Sequence, residues 1–126
     1  MLRINRNQLE VFEGAAEARF AARLVGYLRE HHAEAVAGLD DDTLKARALL
    51  GVRRARSYGL TWDSKVAAFV ALMFEISPSF DRHPRIREGL TDRNVAPNYR
   101  LDILLNRTSD QDWMEAGLLG DQWPAH

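Results

Sequence analysis

The stretch Tyr58-Gly59-Leu60-Thr61-Trp62-Asp63-Ser64-Lys65, running on into VAAFVALMFEISPSFDRHP (residues 66–84), decides how this chain folds. At its centre lies an unbroken apolar run, Val66–Phe74, far short of the roughly 18 consecutive apolar residues of a membrane-spanning helix. Turn chemistry bounds the run on both sides. Gly59 suits the left-handed residue that closes a helix, with Leu60 pressing back on the last turn. Thr61 reads as the cap of the next helix, and Asp63 in its first turn complements the helix dipole. Trp62, Val66, Phe69, Val70 and Met73 recur at helical spacing. Ala67, Ala68, Ala71, Leu72 and Phe74 make the remaining circumference apolar, as in a helix buried on several sides. Pro78 and Pro84 then disfavour helix at the residues before them.

Working outward, residues 7–32 place Leu9, Phe12, Ala16, Phe20, Leu24, Tyr27 and Leu28 at three- and four-residue intervals, which predicts an amphipathic helix. Asn5 and Gln8 read as a capping box, and Ile4 with Leu9 as a hydrophobic staple. A short helical piece, AEAVAGL (33–39), is expected before Asp40-Asp41-Asp42-Thr43 opens a second long helix that ends at Tyr58. Leu44, Ala48, Gly51, Val52 and Ala55 give it a small-residue face. Beyond Pro84, PRIREGL, PNYRLDILLNRT and DQDWMEAGLL each read as short helices. Tyr99, Leu101, Leu104 and Leu105 are expected in the core, and Thr108 or Ser109 as the last cap. No stretch alternates with the period of two that marks a strand. The expectation is an all-α fold, a compact bundle of about five or six helices forming a single domain over residues 1–126, with the tail 120–126 free to extend.

Bulk properties narrow the function classes. The chain has 126 residues, 46% hydrophobic and 28% charged, which places it with folded globular domains. Seventeen basic residues against 18 acidic ones leave a net charge of −1, so no global field gathers nucleic acid or an anionic membrane. The absence of cysteine excludes disulfides and thiol chemistry. The start MLRINRNQLEVFE lacks the apolar core of a secretory signal, so the expected location is the cytoplasm. There the sequon Asn106-Arg107-Thr108 is a chance match.

No Gly-rich phosphate loop, nucleophile elbow, paired-histidine zinc helix or acidic calcium loop occurs. His31 and His32 point about 100° apart on a helix, poor geometry for one metal. His83 beside Asp81 resembles an acid/base pair, with neither nucleophile nor oxyanion donor in the neighbouring sequence. The expectation is no catalytic, cofactor or metal site. Lys45, Arg47, Arg53, Arg54 and Arg56 make a basic helix. Their spread over several faces, and the preceding Asp40-Asp41-Asp42, favour a solvated or partner-facing surface over nucleic acid. The acidic segment 108–126 is a candidate to pair with it. Trp62 at a helix start reads as core, whereas Trp123 in the tail either folds back or anchors a partner.

The segments INRNQLEVFE, LVGYLREHH and RARSYGLTWDSKVAAFVALMFEISPSFDRHP, spanning about residues 4–84, resemble small helical proteins associated with type VI secretion effectors and their adaptor chaperones. The shared elements are a glutamine in the first helix cap, a Tyr-Gly-hydrophobic turn, a Leu-Met-Phe helix, and a Phe-Asp-x-x-Pro loop matched by Phe80, Asp81 and Pro84. This resemblance implies a non-catalytic bacterial co-chaperone or adaptor that stabilises or loads an effector, its partner being the effector or the adaptor chaperone. Tyr58, Trp62, Phe80, Asp81, Arg53, Arg56 and Trp123 are then the candidate partner contacts. The alternatives are an immunity protein that neutralises a toxin and, below it, a helical nucleic-acid binder. No membrane partner is expected, and association between copies is compatible with the sequence.

Overall fold

A computed structural model describes residues 6–124, with side chains from residue 14 onward. The described residues form six α-helices and one 3₁₀ turn, without strands: α1 (Arg6–His31), α2 (Asp41–Ser57), α3 (Asp63–Glu75), the 3₁₀ turn (Phe80–Arg82), α4 (Pro84–Leu90), α5 (Pro97–Arg107) and α6 (Asp110–Gly117). This is the all-α bundle expected. None of the described helices is long and apolar enough to cross a membrane. The capping box at Asn5 and Gln8 and the staple of Ile4 on Leu9 lie outside the described residues and side chains.

The opening stretch behaves largely as its chemistry requires. Asp40 caps α2, its carboxylate accepting the Thr43 N–H at 2.7 Å. At the other end Gly59 has φ +89°, and Leu60 donates its N–H back to the Ala55 carbonyl at 3.2 Å. Leu60 is buried, closing the motif with an apolar contact. Val66, Phe69, Val70, Ala71 and Met73 of α3 are buried, each large apolar one stabilising the fold by about 1.5–3 kcal/mol. The small-residue face of α2 lets α3 approach closely: a Cβ on Gly51 would lie 2.9 Å from Val70 Cγ2. A second close approach, between α4 and α5, rests on Gly89, where a Cβ would lie 2.4 Å from Leu104 Cδ2.

Three local expectations change. Residues 33–38 form consecutive turns instead of a helix, with Gly38 at φ +82° and Val36 inserted into the core. Thr61 does not cap α3. The N-cap is Trp62, without a side-chain bond of its own, and Asn98 of α5 supplies the acceptor: its Oδ1 takes the Thr61 and Trp62 N–H groups at 2.9 and 3.1 Å. Tyr99 and Leu105 are about half exposed, at 51% and 49%, while Leu101 and Leu104 fill the core. Period alone marks the apolar positions of α5, and the width of its contact with α3 leaves two of them uncovered.

Side-chain links fix the arrangement of three helices. Arg23 of α1 reaches Asp63 of α3 at 4.0 Å, and His32, just past α1, pairs with Glu75 at the end of α3 at 2.9 Å. On the other side Asn98 meets Thr61, and Lys65 meets Asp102 at 2.7 Å. Hence α1, α3 and α5 run in the same direction with α3 in the middle, and α2 packs on both α1 and α3.

Candidate functional site

Three regions carry more chemistry than a plain helical core requires: a buried polar corner, an exposed apolar seam and a charged cluster beneath α6. The corner forms where the 3₁₀ turn passes beneath the C-terminal end of α2. Asp81 is 4% exposed. Its carboxylate accepts from Arg54 Nη1 at 3.2 Å and from the Tyr58 hydroxyl at 2.7 Å. Arg54 also donates to the Pro78 carbonyl. The charge in the interior is therefore paired and hydrogen-bonded, as burial demands. Burial, followed by the bond to Asp81, pushes the Tyr58 phenol up to about 12. Phe80 beside it is fully buried and meets Phe69 at a tilt of 55°, with centroids 5.0 Å apart. Arg100 braces the same corner from α5, its guanidinium donating to the carbonyls of Asp92, Val95, Leu90 and Tyr58 at 2.8–3.4 Å.

The seam follows the outer edge of α3. At one end Trp62, 47% exposed, meets Tyr99 edge-to-face at 5.3 Å. The Lys65–Asp102 ion pair bridges the middle. At the other end Tyr27, Ala68, Ala71, Leu72 and Leu105 line an open groove of about 190 Å³, closed by the His32–Glu75 pair. The groove exists because the facing α3 residues are alanines: two small side chains leave room between α1 and α5 that larger ones would fill.

A third cluster ties α6 to the body. His83 precedes Pro84, and its side chain is 6% exposed. Its Nε2 lies 2.8 Å from Glu115 Oε2 and 3.8 Å from Asp112 Oδ1. The spacing of Asp112 and Glu115 on α6 turns both carboxylates to one side. Arg85 stands 3.9 Å from Asp112 on the outer flank. Ser77 Oγ donates to the Ala116 carbonyl at 2.8 Å, completing the attachment. The ligand atoms of His83, Asp112 and Glu115 lie within 4.8 Å of one another, and among the described residues these three are a set able to hold a metal ion.

The candidate contacts thus divide. Trp62, expected in the core, is on the surface, and Tyr58 is half-buried with its hydroxyl turned inward. Phe80 and Asp81 are interior, so they make the corner of the fold and offer a partner no surface. Trp123 folds back, its ring 4.6 Å from Phe74 and beneath the Arg47 guanidinium at 5.4 Å. Arg53 and Arg56 are exposed on α2, Arg53 within 3.3 Å of Glu17. His83 pairs with α6, not with Asp81. The acidic side chains Asp112 and Glu115 face His83 and Arg85 rather than the basic helix. Sequence reading placed Tyr99 and Leu105 in the core, and missed Asn98 and the His83–Glu115 link. Only the spacing of Asp112 and Glu115 signalled any of them.

These features define the chain as a small helical bundle with a polar interior brace and an apolar outer seam. It matches no protein-family model, no curated protein and no solved structure.

Proposed function

We propose that this protein is a non-catalytic interaction module that binds a protein partner along the α3 seam. The observation that carries the reading is the Trp62–Tyr99 pair continuing toward the Tyr27–Leu105 groove. Large aromatics paired at the surface are costly in water, and they are the side chains that dominate binding energy at interfaces. The rim is neutralised by the Arg23–Asp63, Lys65–Asp102 and His32–Glu75 pairs. Apolar complementarity, not long-range charge, then selects the partner. The resemblance of residues 4–84 supplies the finer proposal, a co-chaperone or adaptor that stabilises or loads a type VI secretion effector. Within that proposal Gly59, Leu60, Phe80 and Asp81 build the shared corner, and the seam presents the contacts.

The test is co-purification with any effector or adaptor encoded beside it, using the native chain and a Trp62→Ala/Tyr99→Ala double variant. Both positions are exposed, so the variant should remain folded, with stability changed by roughly 1 kcal/mol or less, while binding falls by roughly two orders of magnitude, the scale of two interface anchors. Equal binding by both chains would remove the seam from the proposal. Deletion in the source cell separates the competing roles. Loss of effector delivery with self-protection intact marks a co-chaperone, and sensitivity to sister cells marks an immunity protein.

A further inference from the structure

The corner beneath α6 holds a donor set that neither the sequence motifs nor the proposed partner-binding role requires. His83 is distant in sequence from Asp112 and Glu115, and the ligand atoms of the three converge within 4.8 Å. We infer that they form a binding site for a divalent transition cation of the zinc type, with His83 Nε2 and one oxygen from each carboxylate as ligands.

The geometry is near what coordination needs. Ligand atoms about 2.0–2.1 Å from a tetrahedral zinc sit roughly 3.4 Å from one another. The two distances from His83 Nε2 are 2.8 and 3.8 Å, on either side of that value, and rotation of the Asp112 and Glu115 side chains adjusts the rest within the 4.8 Å cluster. The chemistry is matched as well. One imidazole nitrogen with two carboxylate oxygens favours a borderline ion over the hard cations magnesium and calcium, which prefer oxygen throughout. Two carboxylates neutralise the ion in a place where the histidine side chain is only 6% exposed. That burial distinguishes the cluster from acidic groups lying loose on a surface.

The neighbours are arranged for it. Gln111 Nε2 donates to Glu115 Oε1 at 3.3 Å, holding the second carboxylate oxygen and leaving Oε2 for the site. Arg85 is 77% exposed, so its guanidinium can withdraw from Asp112 into water when an ion arrives. Among the described residues His83 Nδ1 has no hydrogen-bond partner, so none of them supplies the second group that usually fixes a metal-bound imidazole. With three protein ligands the fourth position stays open to water. An ion here joins the turn before α4 to α6 and stiffens the attachment of a helix that carries the exposed Met114 and is followed by the exposed Leu118.

Calorimetric titration of the purified full chain with zinc chloride tests the site, with cobalt(II) as a spectroscopic probe. The expected result is one saturable ion per chain, a rise in melting temperature on zinc addition, and a visible cobalt band of low coordination number. Glu115→Gln, at a half-exposed position that leaves the fold intact, and Asp112→Asn should each weaken binding roughly tenfold or more, and His31→Gln/His32→Gln should not. Absence of saturable binding overturns the inference and leaves the cluster an ion-paired clip. Binding unchanged in Glu115→Gln and Asp112→Asn, or lost with the His31/His32 pair, overturns it by placing the ion elsewhere.

Discussion

Tyr58 shows how one side chain comes to matter through its surroundings. Its phenol is drawn under α2 and donates to a buried carboxylate, so the neutral form is favoured in the folded state. The sign follows directly: the folded pKa, about 12, lies above the unfolded value of 10.0. This contribution to stability is complete below pH of about 10 and is lost as pH rises through about 12. Absorbance titration of the native chain should show one phenol ionising at about 12, and Tyr58→Phe should remove that step. The variant should also lose about 1 kcal/mol at neutral pH, because one oxygen of Asp81 then lacks its donor. An unaltered alkaline titration in the variant would show that the interior phenol is not Tyr58. The sequence marks Tyr58 as the last residue before a helix-closing glycine. It carries no sign of the hydrogen bond to Asp81, because that contact depends on the 3₁₀ turn passing under the helix end.

At the scale of elements, the links between helices are made by residues that look ordinary in sequence. Asn98 caps a helix to which it does not belong, and Arg100 gathers four carbonyls from three separate segments. Arg100→Lys keeps the charge and removes the planar fork that reaches several acceptors at once. The expected loss is about 2 kcal/mol in urea denaturation, since part-buried carbonyls lose their donor. A loss as small as that of an ordinary surface substitution, within about 0.5 kcal/mol, would show that the carbonyls find water instead. Helix existence and most boundaries were legible from periodicity, prolines and caps. The misread element is residues 33–38, where apolar alanines and a valine suggest a helix too short to persist without neighbours. There the chain turns to insert Val36 into the core.

For the whole molecule, the tail closes the bundle. Trp123 lies against Phe74 and under Arg47, so it covers apolar surface that α3 leaves open. Trp123→Ala should lower stability by about 1–2 kcal/mol, from lost aromatic packing and the cation–π contact, measured by chemical denaturation of the full chain. A change within about 0.5 kcal/mol would mean that the tail only rests on the surface. The basic helix is consumed in similar ways, with Arg54 inside the corner, Arg47 over Trp123 and Arg53 beside Glu17.

The sequence by itself determined the six α-helices, the turn at Gly59 and the burial of Val66, Phe69, Val70 and Met73, because capping and periodicity are local and repeat within a few residues. Only the tertiary structure decided which apolar faces stay uncovered, why Phe80 and Asp81 are interior while Trp62 and Tyr99 are not, and that His83 meets Asp112 and Glu115. Periodicity assigns a residue to a face of its own helix. Whether another helix covers that face depends on packing distances set by residues such as Gly51 and Gly89, far away in the chain.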